Sequence, residues 1–362
     1  MSVCNDPDLT SLTDDAPMRG MSARSTTGVA ATSRLFRDVD ARGRRRTECS
    51  RQRMSTRRRC HHQHERDETF VSLGFDLPHP LSEHVPMDVY AAKCDVANAP
   101  NDGVVRLVLP ESEDAVVDVY SALGRARDDP HWADLWHGSV ALAGAVFASP
   151  ELVRGKRVID LGCGLGLGGV AAAMCGAKEV VMTDREERAL WCSLAACKAN
   201  GVMAVEEMPR ECNAPDDVEL PPLPTFEDAP RCDSDCVVSA AKVDWFEPEK
   251  APTGFDVVLA CDVLYTPDAV DAIATLVMRL FDGNASGSDS GAFILADPPG
   301  RFPKNHERFM SLMENPADIP GYSGDKRRGI VSVTESIEEC LNLERKTMRV
   351  KLSAYDIVGR DD

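Results

Sequence analysis

The chain has 362 residues, 43% of them hydrophobic, with 41 Lys and Arg against 59 Asp and Glu and a formal net charge of −18. That length suits one large core or two smaller ones, at about 150 residues per domain, and the acidic balance repels nucleic-acid phosphates, which disfavours duplex DNA as a partner. No run reaches the ~18 consecutive apolar residues of a membrane span, and the 13 scattered Cys suit a reducing compartment better than a disulfide scaffold.

In chain order, residues 1 to 67 hold 14 Arg, no Lys and 9 acids, leaving 27 basic and 50 acidic residues to the rest. Residues 1–68 are therefore expected to lie outside the folded body, as an Arg-rich disordered tail or an organelle transit peptide. The first alternative leaves the protein in the cytoplasm and the second sends it to a mitochondrion or plastid; four Asp ahead of the first Arg count against the second. Cys60, His61, His62 and His64 have metal-ligand chemistry but no ordered second pair, so no metal is expected there.

The folded domain is expected over residues 69–362. "VVRLVLPE", from Val104, alternates like a strand, and "WADLWHGSVALAGAVFASPELV", from Trp132, reads as an amphipathic helix. Strands then follow at "KRVIDL", "EVVMTD", "VVSAAKVDW", "FDVVLACDVLY" and "AFILADP", interleaved with helices at Gly168 to Met174, Glu186 to Asn200 and Asp268 to Phe281. Residues 203–236 are acidic and Pro-rich and far exceed the about 2–6 residues usual between helix and strand, so a disordered insertion is expected. A helix near Pro303 to Asn315 and two β runs, "GIVSVTES" and "TMRVKLSAYDI", close the chain. Apolar strands alternating with helices predict an α/β fold, a doubly wound Rossmann-like sheet of seven strands with an antiparallel edge strand.

The turn after the first of these parallel strands, "DLGCGLGLGG", satisfies two patterns at once. Gly164, Gly166 and Gly169 fit the dinucleotide spacing G-x-G-x-x-G, while Asp160, Gly162, Gly164 and Gly166 fit the D-x-G-x-G-x-G loop of proteins that use S-adenosylmethionine. The acid decides between them. A dinucleotide loop needs its first Gly directly after the strand, and starting at Gly164 strands Asp160 and Gly162 inside the turn, whereas starting at Gly162 puts Leu167 in the third Gly position. Asp184, 20 residues past Gly164, suits ribose hydroxyls in either case.

"VIDLGCGLG", "VMTD", "VDWF" and "LACDVLY", in this order, resemble a class I seven-strand methyltransferase, and within that class family 16, the protein-lysine methyltransferases with a D-x-x-Y motif. "HWADLWHGSVALA", "ASPELVRGKRVIDLG" and "ILADPPGR" are most similar to its electron-transfer-flavoprotein β-subunit lysine methyltransferase branch. The resemblance spans roughly residues 100 to 310. It implies S-adenosylmethionine as cofactor, contacted by Trp136, Asp160, Gly162, Gly164, Gly166, Asp184, Asp244, Trp245 and Cys261. Asp262 and Tyr265 of "DVLY" would be the catalytic pair, meeting a lysine of a substrate protein; a small amine, an RNA base or a non-catalytic scaffold are the alternatives. "ADPPG" is similar to the D-P-P-Y box of DNA-base methyltransferases, but it follows the wrong strand and ends in Gly300 where an aromatic is needed, so Asp297 to Arg301 read as a loop on the acceptor side.

Overall fold

The structure is a computed structural model that describes residues 71–72, 75–76, 84–85, 87–208, 220–283, 290–323, 328–341 and 346–359. The Arg-rich segment and its Cys60, His61, His62 and His64 lie outside the described residues. The chain opens with an antiparallel hairpin, β1 (Asp88–Asp95) and β2 (Val104–Pro110), to which Val71–Ser72 adds on the β1 side. Its connection turns through left-handed φ at Asn98, Asn101, Asp102 and Gly103, residue types that tolerate that region. Helix α1 (Glu113–Ala122) follows, capped by Ser112 accepting the Ala115 N–H at 3.2 Å.

The doubly wound body comes next. In order run α2 (His137–Ala148), β3 (Arg157–Leu161), α3 (Leu167–Met174), β4 (Glu179–Asp184), α4 (Glu187–Ala199) and a short β5 (Ala204–Val205). Then follow β6 (Val237–Lys242), β7 (Val257–Cys261), α5 (Pro267–Leu280), β8 (Ser290–Asp297), α6 (Pro303–Glu314), β9 (Arg328–Leu341) and β10 (Thr347–Gly359). The sheet order is β9-β10-β8-β7-β3-β4-β6-β5. Strands β3 to β8 pair in parallel, and β10 runs antiparallel to both neighbours. The reversed strand is thus one place in from the edge, and the two-residue β5 brings the sheet to eight strands. Two cores flank the sheet. One gathers α2, α3, α4 and the hairpin around Trp191, and the other packs α5 and α6 around Phe255, Phe293 and Phe309.

Four local expectations change. The strand at Val104 belongs to the separate hairpin sheet, and its partner β1 and the helix α1 have no counterpart in the sequence reading. The stretch from Trp132 to Val153 is divided into a 3-10 turn at His131–Ala133, α2, and a second turn at Pro150–Leu152. Helix α2 is buried on every side rather than amphipathic, because it lies between α3 and the β8-β10 half of the sheet. Strands β6 and β7 end at Lys242 and Cys261, which leaves Asp244, Trp245, Asp262 and Tyr265 in the turns beyond them.

The stretch read as a disordered insertion is packed over residues 220–236. Pro221 O accepts the Trp191 indole N–H at 2.7 Å, Ser234 Oγ donates to Ala173 O at 2.7 Å, and Leu223 is buried. Each proline removes a donor, so irregular chain can lie on apolar surface with few orphaned N–H groups. Among the described residues no helix is long and apolar enough to cross a membrane.

Candidate active site

The chain runs from β3 outward to β4 and β6, then returns to the other side of β3 as β7 and β8. The carboxyl ends of β3 and β7 therefore face a topological switch point, where open α/β sheets bind ligands. A cavity of about 370 Å³ lies there. Ten of the eleven sequence-predicted residues line it: Trp136, Gly162, Gly164, Gly166, Asp184, Asp244, Trp245, Cys261, Asp262 and Tyr265.

Its floor is the loop after β3. Gly162 has φ +64, and a Cβ there would stand 3.0 Å from the Trp245 ring. Gly166 has φ +76, and a Cβ there would stand 2.4 Å from Ser193 Cβ. Only glycine reconciles the left-handed turn with these approaches. Gly169 has another use: its added Cβ would meet Met182 Sδ at 2.3 Å, so this glycine, which completes the dinucleotide spacing, lets α3 close on the sheet.

Asp160 is the exception among the eleven. It does not line the cavity; it is 4% exposed beneath the loop, and its Oδ2 accepts the Gly169 N–H at 2.7 Å. The carboxylate ties the start of α3 to the end of β3, which orients the loop from behind. Burial pushes its pKa up to about 7, partly offset by the Gly169 bond. Asp184 does reach the cavity. Its Oδ2 accepts the Gly164 N–H and its Oδ1 the Glu186 N–H, each at 3.0 Å, and burial raises it to about 6. Two backbone donors leave it spare acceptor capacity on the cavity wall.

One wall is a chain of rings. His131 stands edge-on to Trp136 at 5.4 Å and to Tyr265 at 5.9 Å, and Tyr265 is edge-on to Trp245 at 6.0 Å. Trp136 precedes α2, held by its indole N–H on His131 O at 2.9 Å and by Ser139 Oγ donating to its carbonyl at 2.7 Å. Asp244 accepts the Phe246 N–H at 2.9 Å, which closes the turn that presents Trp245.

Asp262 stands where the aromatic wall meets the loop after β8. It has a left-handed φ of 52, uncommon for a residue with a side chain, and its own N–H donates to Ala296 O at 3.0 Å. Oδ1 accepts Arg301 Nη1 at 2.9 Å. Oδ2 is buried with no partner among the described residues, and a Cβ on Gly138 would stand 2.7 Å from it. Burial raises Asp262 to about 6, with Arg301 opposing. Burial likewise holds the Cys261 thiol well above its ordinary value, so it has the character of a small wall residue rather than a nucleophile.

A network behind the cavity has no signature in the sequence. Glu186 Oε2 accepts Tyr120 Oη at 2.9 Å and Arg125 Nη2 at 3.0 Å, its Oε1 accepts Arg188 Nη1 at 3.1 Å, and Tyr120 accepts the Trp132 indole N–H at 2.9 Å. Burial alone would raise Glu186, but Arg188, Arg125 and Tyr120 outweigh it and hold the carboxyl below its ordinary value. Tyr120 and Glu186 both line the cavity. They come from α1 and the turn after β4, 66 residues apart, so spacing cannot pair them. Among the described residues no group of three or more His, Cys, Asp or Glu is placed to hold a metal ion.

Residues 132–217 match the family described as Methyltransferase small domain. The chain is 40% identical over 74 residues to the rat electron transfer flavoprotein beta subunit lysine methyltransferase, a match covering 20% of this chain and 29% of that protein. It is 43% identical over 128 residues to the protein N-terminal and lysine N-methyltransferase efm7 of Schizosaccharomyces pombe, covering 34% of this chain and 43% of that one. The chain thus spans under half the length of these two relatives. A solved structure of a putative RNA methyltransferase from Pyrococcus horikoshii aligns over 65% of this chain and 92% of that one, at 13% identity and a TM-score of 0.38.

The cavity fits S-adenosylmethionine on its own chemistry. The glycine loop brings bare backbone to the floor, Asp184 offers a carboxylate with free lone pairs for ribose hydroxyls, and Trp136 and Trp245 offer π faces to a sulfonium or a purine. Residues 132–217, which carry the glycine loop and Asp184, are thus the part of the chain that matches a methyltransferase domain.

Proposed function

We propose that the protein transfers the methyl group of S-adenosylmethionine to the ε-amine of a lysine on another protein. The observation that carries this reading is the Asp262 and Tyr265 pair on the cavity wall, directly beyond β7 and facing the same space as the glycine loop and Asp184. The bound cofactor supplies an electrophilic methyl on a sulfonium. The chain supplies alignment and charge. Tyr265, fixed edge-on between His131 and Trp245, orients an incoming amine with its hydroxyl, and Asp262 attracts the ammonium and accepts the proton that must leave before nitrogen can attack. A carboxylate raised to about 6 by burial is a better proton acceptor than an exposed one. The names of the rat and fission-yeast relatives, both protein methyltransferases, support a protein acceptor.

The test is incubation of the full chain with tritiated cofactor and a cell extract, followed by protease, nuclease and acid hydrolysis of the labelled fraction. Label released by protease and recovered as Nε-methyllysine is the expected result. Label that survives protease, or that elutes as a methylated nucleoside, N-terminal residue or histidine, refutes the lysine assignment.

A further inference from the structure

We propose that Arg301 is the acceptor-selecting residue of this site: its guanidinium holds Asp262 until a cationic acceptor chain displaces it. The proposal rests on the lysine reading above and names how that acceptor is chosen. Of the two Asp262 oxygens, Oδ2 has no access to solvent and lies against Gly138, so an acceptor can reach only Oδ1, which is the oxygen Arg301 occupies at 2.9 Å. Oδ1 keeps a second lone pair, but an ammonium placed on the same oxygen would stand against the guanidinium charge, so a cationic acceptor competes with Arg301 for this carboxylate.

The loop is built for that exchange. The guanidinium lies 4.9 Å over the Trp136 ring and 5.2 Å over the Phe302 ring, so it has aromatic faces to rest on when Oδ1 is given up. Its side chain is 34% exposed, whereas that of Asp262 is 9% exposed, so Arg301 is the member of the pair with room to move. Gly300 before it has φ +74 with open space where a side chain would be, and the turn is closed by Arg301 N–H on Pro298 O at 3.1 Å. Phe302 after it has a left-handed φ of 50, matching the φ of 52 at Asp262, so among the described residues two of the five non-glycine residues with positive φ lie in or next to one ion pair. Strain gathered at a cavity wall marks a place where the surroundings impose a conformation.

Selectivity follows from charge conservation. Replacing a guanidinium by an ammonium keeps a nearly buried carboxylate neutralised, and a neutral acceptor of the same shape leaves it unpaired, at the cost of its desolvation. The acceptor must bring a positive charge to enter and loses its proton only inside. Neutral hydroxyl or thiol acceptors are rejected by the vacated carboxylate rather than by shape.

The experiment uses the full chain saturated with S-adenosylhomocysteine and two small ligands, n-butylammonium as a mimic of a lysine side chain and n-butanol as its neutral counterpart. Binding is followed by ligand-observed NMR in the wild type, Arg301→Ala, Arg301→Lys and Asp262→Asn, with thermal unfolding to show that each variant is folded. Removing the competing cation is expected to tighten n-butylammonium by about tenfold in Arg301→Ala, ~1.4 kcal/mol, with Arg301→Lys in between and Asp262→Asn binding none, while n-butanol gains only in Asp262→Asn, where no carboxylate charge is left to desolvate. Equal n-butylammonium affinity in the wild type and Arg301→Ala overturns the proposal, and weaker affinity in Arg301→Ala overturns it too, by making Arg301 a support for Asp262. The expected binding pattern together with no methyllysine in the extract experiment supports the exchange and refutes the lysine reading on which it was framed.

Discussion

Gly138 is the position at which packing and chemistry are most tightly joined, and Gly138→Ala puts a number on the link. The added methyl would stand 2.7 Å from Asp262 Oδ2, 3.0 Å from Ala296 O and 3.2 Å from Cys261 Cβ, all on the β7 and β8 ends. A comfortable contact is about 3.5 Å, so Oδ2 must retreat by ~0.8 Å or α2 must lift by the same amount. Overpacking of this kind costs about 1–3 kcal/mol, against which alanine returns up to ~1 kcal/mol of helix propensity. The net destabilisation of ~1–2 kcal/mol lowers the melting midpoint by roughly 2–8 °C in a domain of this size. Because Gly138 does not line the cavity, affinity for S-adenosylhomocysteine should hold within about twofold. Transfer should fall at least tenfold, since ~1 Å of misplacement at a reacting centre costs as much as a hundredfold. Differential scanning fluorimetry, calorimetry and the tritium assay read the three quantities. A variant with wild-type melting and wild-type transfer would show that α2 does not press on Asp262, and with it the account of the walled Oδ2 would fail.

Other outcomes follow from the same geometry. Asp184→Asn should weaken S-adenosylhomocysteine by about 10–100-fold in calorimetry, the range of a charge-assisted hydrogen bond, and an unchanged affinity would remove Asp184 from the ligand site. Tyr120→Phe takes the hydroxyl from between Glu186 and the Trp132 indole N–H, and should cost about 1–3 kcal/mol in urea denaturation because a buried donor loses its acceptor. The pH dependence of stability has a definite sign. Burial raises Asp160 and Asp297 to about 7 and Asp184 and Asp262 to about 6, so the folded, ligand-free chain holds protons that the unfolded chain has released near pH 4. Their contribution is fully present below about pH 4 and is lost as pH rises through 6 to 7. Asp160→Asn, whose amide oxygen can still accept from Gly169, should flatten the fall in melting midpoint between pH 5 and 7.5; an unchanged slope would contradict the buried assignment.

Much of this was legible in the chain itself. Apolar runs alternating with helical stretches located β3, β4, β6, β7 and β8, and the order of "VIDLGCGLG", "VMTD", "VDW" and "CDVLY" placed nine of the ten cavity-lining residues, Trp136 coming from the stretch ahead of α2, because strand ends at a switch point are next to each other in space whenever their strands are next to each other in the sheet. Local chemistry was enough there: each motif is a turn whose conformation its own residues impose. The covalent spacing of Asp160 separated two glycine patterns that counting alone confused.

Tertiary structure decided the rest, and in each case contacts distant along the chain outweighed local composition. Asp160 looked like a ligand contact and is a bolt under α3, since burial and the Gly169 N–H turn it away from the cavity. The Pro-rich stretch looked unstructured, yet the Trp191 indole and the face of α4 give its later part a surface to lie on. The hairpin of β1 and β2 encloses α4 from the far side, and Asn200 joins the two by accepting the Arg106 N–H at 2.9 Å and donating to its carbonyl at 2.7 Å. Arg301 was legible as a basic residue on an acceptor-side loop, without its partner. Its meaning arises where the loop after β8 meets the end of β7, 39 residues away, because a charge acquires a role from the partner it neutralises. Motif order sufficed to locate the site; which oxygen of Asp262 is free to act depends on how α2, β7 and the Arg301 loop close upon one another.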